Sequence, residues 1–89
     1  MKGSLDETFK RELKELIIEE CDLADRFRPG DIRDDEPLFG RDSRIGLDSI
    51  DALQISIAVQ RYNVNITDSK VMRRVMTSIN AFADYLRPE

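Results

Sequence analysis

Residues 46–62 read Gly46-Leu47-Asp48-Ser49-Ile50-Asp51-Ala52-Leu53-Gln54-Ile55-Ser56-Ile57-Ala58-Val59-Gln60-Arg61-Tyr62. Asp48 and Ser49 each carry a side-chain oxygen able to cap a helix, and Asp51 in the first turn complements the positive helix end. The spacing predicts a helix that runs from Asp48 or Ser49 to about Tyr62, where Asn63 and Asn65 break it. At ~3.6 residues per turn, two apolar groups separate on it. Ala52, Ile55, Ala58, Val59 and Tyr62 lie together. Ile50, Leu53 and Ile57 lie on another side, with Gln54 and Arg61 on one flank and Ser56 and Gln60 on the other. One stripe is enough to bury a surface helix. Two stripes mean either that the helix is sandwiched in the core or that one stripe faces a partner.

On the N-terminal side, Leu5, Phe9, Leu13, Leu16, Ile17 and Cys21 recur at helical spacing, predicting a helix from Leu5 to about Leu23. Cys21 falls on its apolar stripe and reads as a small buried hydrophobe. Residues 24–47 break that regularity with Pro29, Gly30, Pro37, Gly40 and Gly46. They also gather Asp31, Asp34, Asp35 and Glu36, whose spacing does not match a calcium loop. We read an ordered loop pinned to the core by Ile32, Leu38, Phe39, Ile45 and Leu47. Downstream, Thr67 or Asp68 caps a third element with Val71, Met72, Val75 and Met76 on its apolar side. A fourth helix, from Thr77 or Ser78 to Leu86, carries Ile79, Phe82, Ala83 and Leu86. No strand alternation stands out. The expected fold is all-α: a small four-helix bundle with a long loop between its first and second helices.

The chain has 89 residues, room for a single domain over residues 1–89. A domain of this size buries only about 60–65% of its unfolded surface, so a thin core and no deep cleft are expected. With 18 acidic and 14 basic side chains, the net charge is −4. That balance argues against nucleic acid and against anionic membrane surfaces. The absence of histidine excludes Ser-His and Cys-His nucleophile pairs and every histidine-based metal site. No glycine-rich phosphate loop and no Cys-x-x-Cys pair is present. The single cysteine points to a reducing, cytoplasmic setting. No apolar run approaches the ~20 residues of a membrane helix. The expected class is therefore not an enzyme.

The segment Leu38-Phe39-Gly40 … Gly46-Leu47-Asp48-Ser49-Ile50-Asp51-Ala52-Leu53 resembles the acyl carrier protein family, in which Asp-Ser-Leu or Asp-Ser-Ile opens the second helix after a long loop. Tyr62-Asn63-Val64-Asn65-Ile66 and Ala83-Asp84-Tyr85-Leu86 extend the likeness from about Leu5 to Leu86. The resemblance implies that a phosphopantetheinyl transferase attaches 4'-phosphopantetheine to Ser49, with Asp48 as part of the motif. The arm's thiol would then hold acyl groups as thioesters and shuttle them among enzymes such as ketosynthases and acyltransferases. Ser43 and Ser56 do not match the motif position. The resemblance also implies partner contact through Ile50, Asp51, Leu53, Gln54 and Ile57 of the second helix and Arg73 and Arg74 of the third, and a monomeric carrier. Leu53, Ile55, Val59, Met72, Val75 and Phe82 are positioned either to pack a core or to part around an acyl chain.

Two departures qualify the likeness. Carriers of primary fatty acid synthesis usually have an acidic second helix, whereas Gln54, Gln60 and Arg61 stand where glutamates are common. The third element carries Lys70, Arg73 and Arg74. Because electrostatic complementarity sets partner choice, a dedicated pathway is implied. Two rival readings stand beside this one. The first is a peptidyl or aminoacyl carrier, against which Gly46-Leu47 weighs. The second is an unmodified helical interaction module using Ile50, Leu53 and Ile57.

Overall fold

A computed structural model describes residues 1–66 and 68–88. Four α-helices follow in order: α1 (Glu7–Glu20), α2 (Ser49–Ala58), α3 (Ser69–Val75) and α4 (Ile79–Leu86). Short 3-10 turns occupy Gly3–Leu5, Pro29–Asp31 and Val59–Tyr62. The all-α expectation and the long loop are both met. Among the described residues the only strand-like pairing is a single parallel bridge between Phe39 and Leu47, inside that loop.

α1 starts where Asp6 accepts a hydrogen bond from the Phe9 N–H at 3.1 Å. Phe9, Leu13, Leu16, Ile17 and Ile18 are buried. Leu5 is not on this face: it is 65% exposed. The extended backbone at Asp6 separates the Gly3–Leu5 turn from the helix, so counting back four residues from Phe9 loses the helical phase. The helix also stops earlier than expected. Asp22 adopts a left-handed conformation (φ 55°). The Leu23 N–H then bonds to Ile18 O at 2.8 Å and the Asp22 N–H to Glu19 O at 3.4 Å. This is a Schellman-type ending. Its apolar pair, Ile18 and Leu23, is buried, so Leu23 reaches the core from the cap rather than from the helix.

The loop is ordered by its own interactions. Ile32, Leu38, Ile45 and Leu47 are buried, and Phe39 is partly so. The Leu47 N–H donates to Leu38 O (3.0 Å), the Leu38 N–H to Thr77 O (3.2 Å) and the Asn80 N–H to Asp34 O (2.9 Å). These bonds tie the loop to the start of α4. Ser43 Oγ donates to Pro37 O and accepts from the N–H groups of Ile45 and Gly46. Gly46 follows with φ 67°, a backbone state that costs glycine little and other residues more.

The acidic cluster is largely spoken for. Asp34 Oδ2 accepts from Lys10 Nζ at 2.8 Å. Lys14 Nζ lies 2.7 Å from Oδ1, an ion pair off the line of a good hydrogen bond. Burial opposes ionisation of Asp34, but the hydrogen bond from Lys10 and the charge of Lys14 beside it outweigh it and hold the carboxyl below its ordinary range. Lys10 is itself buried and its pKa is raised, chiefly by the bond to Asp34. Glu36 pairs with Arg44 at 2.7 Å, and this hydrogen bond lowers its pKa.

α3 is capped by Asp68, which accepts from the Lys70 N–H at 2.8 Å; Thr67 lies outside the described residues. Met72 and Met76, four apart, are buried, whereas Val71 is 37% exposed. So short a helix buries one line of residues, and Val71 falls beside it. α4 is capped by Ser78, which accepts from the Ala81 N–H at 3.2 Å, and buries Ile79, Phe82 and Ala83. Gly3 packs so closely on α4 that a Cβ there would lie 2.1 Å from Ala83 O. The Gly3 N–H donates to Arg87 O.

Candidate functional site

α2 begins with a reciprocal cap. Asp48 accepts from the Asp51 N–H at 3.0 Å, and Asp51 accepts from the Asp48 N–H at 3.1 Å. This is a capping box with aspartate in place of the usual glutamate. Of the two candidate caps, Asp48 performs the role and Ser49 becomes the first helical residue. Ser49 is exposed. No hydrogen bond among the described residues engages its hydroxyl.

Ser49 lies in a shallow depression of about 290 Å³ lined by Gly40, Arg41, Gly46, Leu47, Asp48 and Arg73. Two guanidinium groups thus border the serine, one from the loop and one from α3. Arg73 is held in place by its approach to the Phe39 ring, 5.6 Å from the centroid. It also lines an adjoining depression with Phe39, Lys70, Arg74 and Thr77. Arg41 was not legible as a site residue. It comes beside Ser49 only because the Phe39–Leu47 bridge folds the loop back on itself, and no local spacing announces such a bridge.

The two apolar groups on α2 divide as the helical wheel predicts. Ala52, Ile55 and Val59 are buried, with Ala58 and Tyr62 partly so. The Tyr62 ring meets Phe9 edge-on at 5.8 Å. Ile50 (69%), Leu53 (48%) and Ile57 (56%) are exposed. Leu53 therefore stands outside the interior, unlike Ile55, Val59, Met72 and Phe82, which pack the core. Ser56, placed by the wheel on a flank, is buried, its hydroxyl satisfied by Leu53 O at 2.6 Å. Gln54, Arg73 and Arg74 are exposed.

Cys21 is half-buried at the C-terminal end of α1. Burial first, and then the neighbouring Asp51 carboxylate, push its thiol up to about 12. A larger depression lies elsewhere. It has a volume of about 690 Å³, lies between α1 and the Pro29–Asp31 turn, and mixes Glu7 and Asp31 with Arg11, Lys14 and Arg28. It shares no residue with the one at Ser49, and both signs of charge line it.

An exposed serine at the first turn of a helix, in a depression that two arginines also line, offers surroundings that favour an anion. Comparison with known proteins gives the class. The family model for the phosphopantetheine attachment site matches residues 11–86, and the chain belongs to this family. Its domains are carriers that hold a covalently attached 4'-phosphopantetheine arm. Neither a curated protein nor a solved structure matches the chain. Among the described residues, no helix is long and apolar enough to cross a membrane.

Proposed function

We propose that this protein is a cytoplasmic acyl carrier whose arm is attached to Ser49, and that it delivers thioester-bound acyl groups to the enzymes of a dedicated lipid or polyketide-type pathway. The observation that carries the reading is the division of labour at the start of α2. Asp48 and Asp51 satisfy the helix end, and the Ser49 hydroxyl is left exposed. The remaining free N–H groups of the first turn, with Arg41 and Arg73 alongside, suit a phosphodiester, which carries one negative charge. The chain itself supplies no chemistry at the arm's thiol. Its residues present the arm, and partner enzymes act on what the arm holds.

An acyl cargo is favoured over an aminoacyl one by the Gly46-Leu47 pair preceding Asp48-Ser49. The experiment is incubation of the purified protein with coenzyme A and a phosphopantetheinyl transferase, read by intact mass. The expected result is one added arm on the wild type and none on Ser49→Ala. An arm found elsewhere, or none at all, overturns the assignment. Aminoacyl loading by adenylating enzymes, in preference to acyl loading, overturns the choice of cargo.

A further inference from the structure

The arm must enter a partner's active site, so whatever borders Ser49 on the surface is pressed against that partner. What borders it here is Arg41 and Arg73 in the same depression, Lys70 and Arg74 in the adjoining one, and Ile50 as the next residue of the helix. Ile50, Leu53 and Ile57 continue this surface as an exposed apolar stripe. Among the described residues, none of the four cations takes part in an ion pair. The pairs that do form engage Lys10, Arg11, Lys14, Arg44 and Arg87. The nearby carboxylates of Asp48, Asp51 and Asp68 each accept a backbone N–H at a helix start. Asp42 lines neither depression. Residues 48–76 hold four basic and three acidic side chains, although the whole chain is at −4. The two depressions are lined by four cations and one carboxylate, Asp48, so the surface beside Ser49 is positive on an otherwise acidic molecule.

We infer that the enzymes served by this carrier present an acid-rimmed apolar patch at the mouth of the active site. The apolar floor covers Ile50, Leu53 and Ile57, and the aspartates and glutamates of the rim meet Arg41, Lys70, Arg73 and Arg74. Like charge at such a rim is costly, and opposite charge steers encounter by about 10- to 1,000-fold in rate. The inference rests on Ser49 bearing the arm.

The test uses the holo protein loaded with a short acyl group and two purified ketosynthases of known structure. One has Asp and Glu around an apolar active-site mouth, and the other has Lys and Arg. Acyl transfer is followed for the wild type, for Lys70→Glu/Arg74→Glu, which leaves the two arginines beside the arm in place, and for Leu53→Gln. The expected result is a wild-type preference for the acid-rimmed enzyme that weakens as salt rises. The double reversal should lower kcat/KM with that enzyme by about tenfold or more and raise it with the base-rimmed one. Leu53→Gln should lower both rates. Equal rates for wild type and reversal, or a wild-type preference for the base-rimmed enzyme, would overturn the inference. So would sedimentation showing that a second copy of the chain covers the stripe. Intact mass on each variant keeps the two conclusions apart. Failure of Ser49 to accept the arm sinks the carrier assignment, whereas a fully modified protein indifferent to charge reversal sinks only the docking surface.

Discussion

Asp48 and Ser49 are neighbours with separate duties. Asp48 secures the start of α2, so Asp48→Ala should cost about 1 kcal/mol of stability, the usual penalty for losing an N-cap. Ser49→Ala should stay within about 0.5 kcal/mol, since no structural bond is lost. Urea titrations of the two variants check this. Equal destabilisation would mean that the serine hydroxyl shares the capping. At the other end of α1, Asp22 holds a left-handed backbone beside the negative end of the helix. Asp22→Gly should therefore raise stability, by up to about 1 kcal/mol. A lower melting temperature for that variant would contradict the reading of the Schellman cap.

The loop behaves as an element in its own right because its charges are paired inward. Asp34 and Glu36 both have lowered pKa values in the fold. Such groups stabilise fully above the ordinary carboxylate pKa, and their contribution disappears as pH falls through the folded value. Melting temperature should thus drop below about pH 4, the ordinary range for Asp and Glu. Asp34→Asn removes one of these titrations and leaves the buried Lys10 with only Glu7 as an acidic partner, 3.2 Å away. It should lose roughly 1–3 kcal/mol at neutral pH and show a flatter acid limb. Melting curves for the two proteins that run parallel from neutral to acid pH would refute that role. The existence of this loop was legible from its prolines and glycines, and its apolar anchors were legible too. The pairing of Lys10 and Lys14 with Asp34 was not, because the two lysines lie 24 and 20 residues before it and only the folded chain brings them together. The two stripes of α2 were fully legible, since helical periodicity is local. Which stripe faces out depended on α1 and α3, the helices that pack against α2. Leu5, Ser56 and Val71 were misplaced for the same reason: a wheel drawn on one helix takes no account of where neighbouring elements start or how deeply they pack.

For the molecule as a whole, stability rests on a thin core shared by the four helices and the loop. Phe82 is completely buried within it. Phe82→Ala should cost about 3–5 kcal/mol, a large part of the total for a domain this small, so the variant should be mostly unfolded at moderate denaturant. A cooperative transition close to that of the wild type would show that the core tolerates the cavity. Charge is distributed just as unevenly. Asp34 and Glu36 of the loop are absorbed by two lysines and an arginine, while the cations near Ser49 are left for other molecules. Ser49 could be singled out from its motif, but its neighbour Arg41 could not, because it arrives by a loop reversal.

The half-buried Cys21 carries a further consequence. A carrier with an activated ester at the tip of a swinging tether risks losing its load to any nucleophilic sulfur within reach. With a pKa pushed up to about 12, this sulfur is almost entirely protonated at neutral pH and a poor acceptor. Alkylation of the modified protein with iodoacetamide should therefore label one thiol, that of the tether, well before the second, and acyl groups should not migrate inward to the polypeptide. The fold thus keeps its own sulfur out of a chemistry that depends on another.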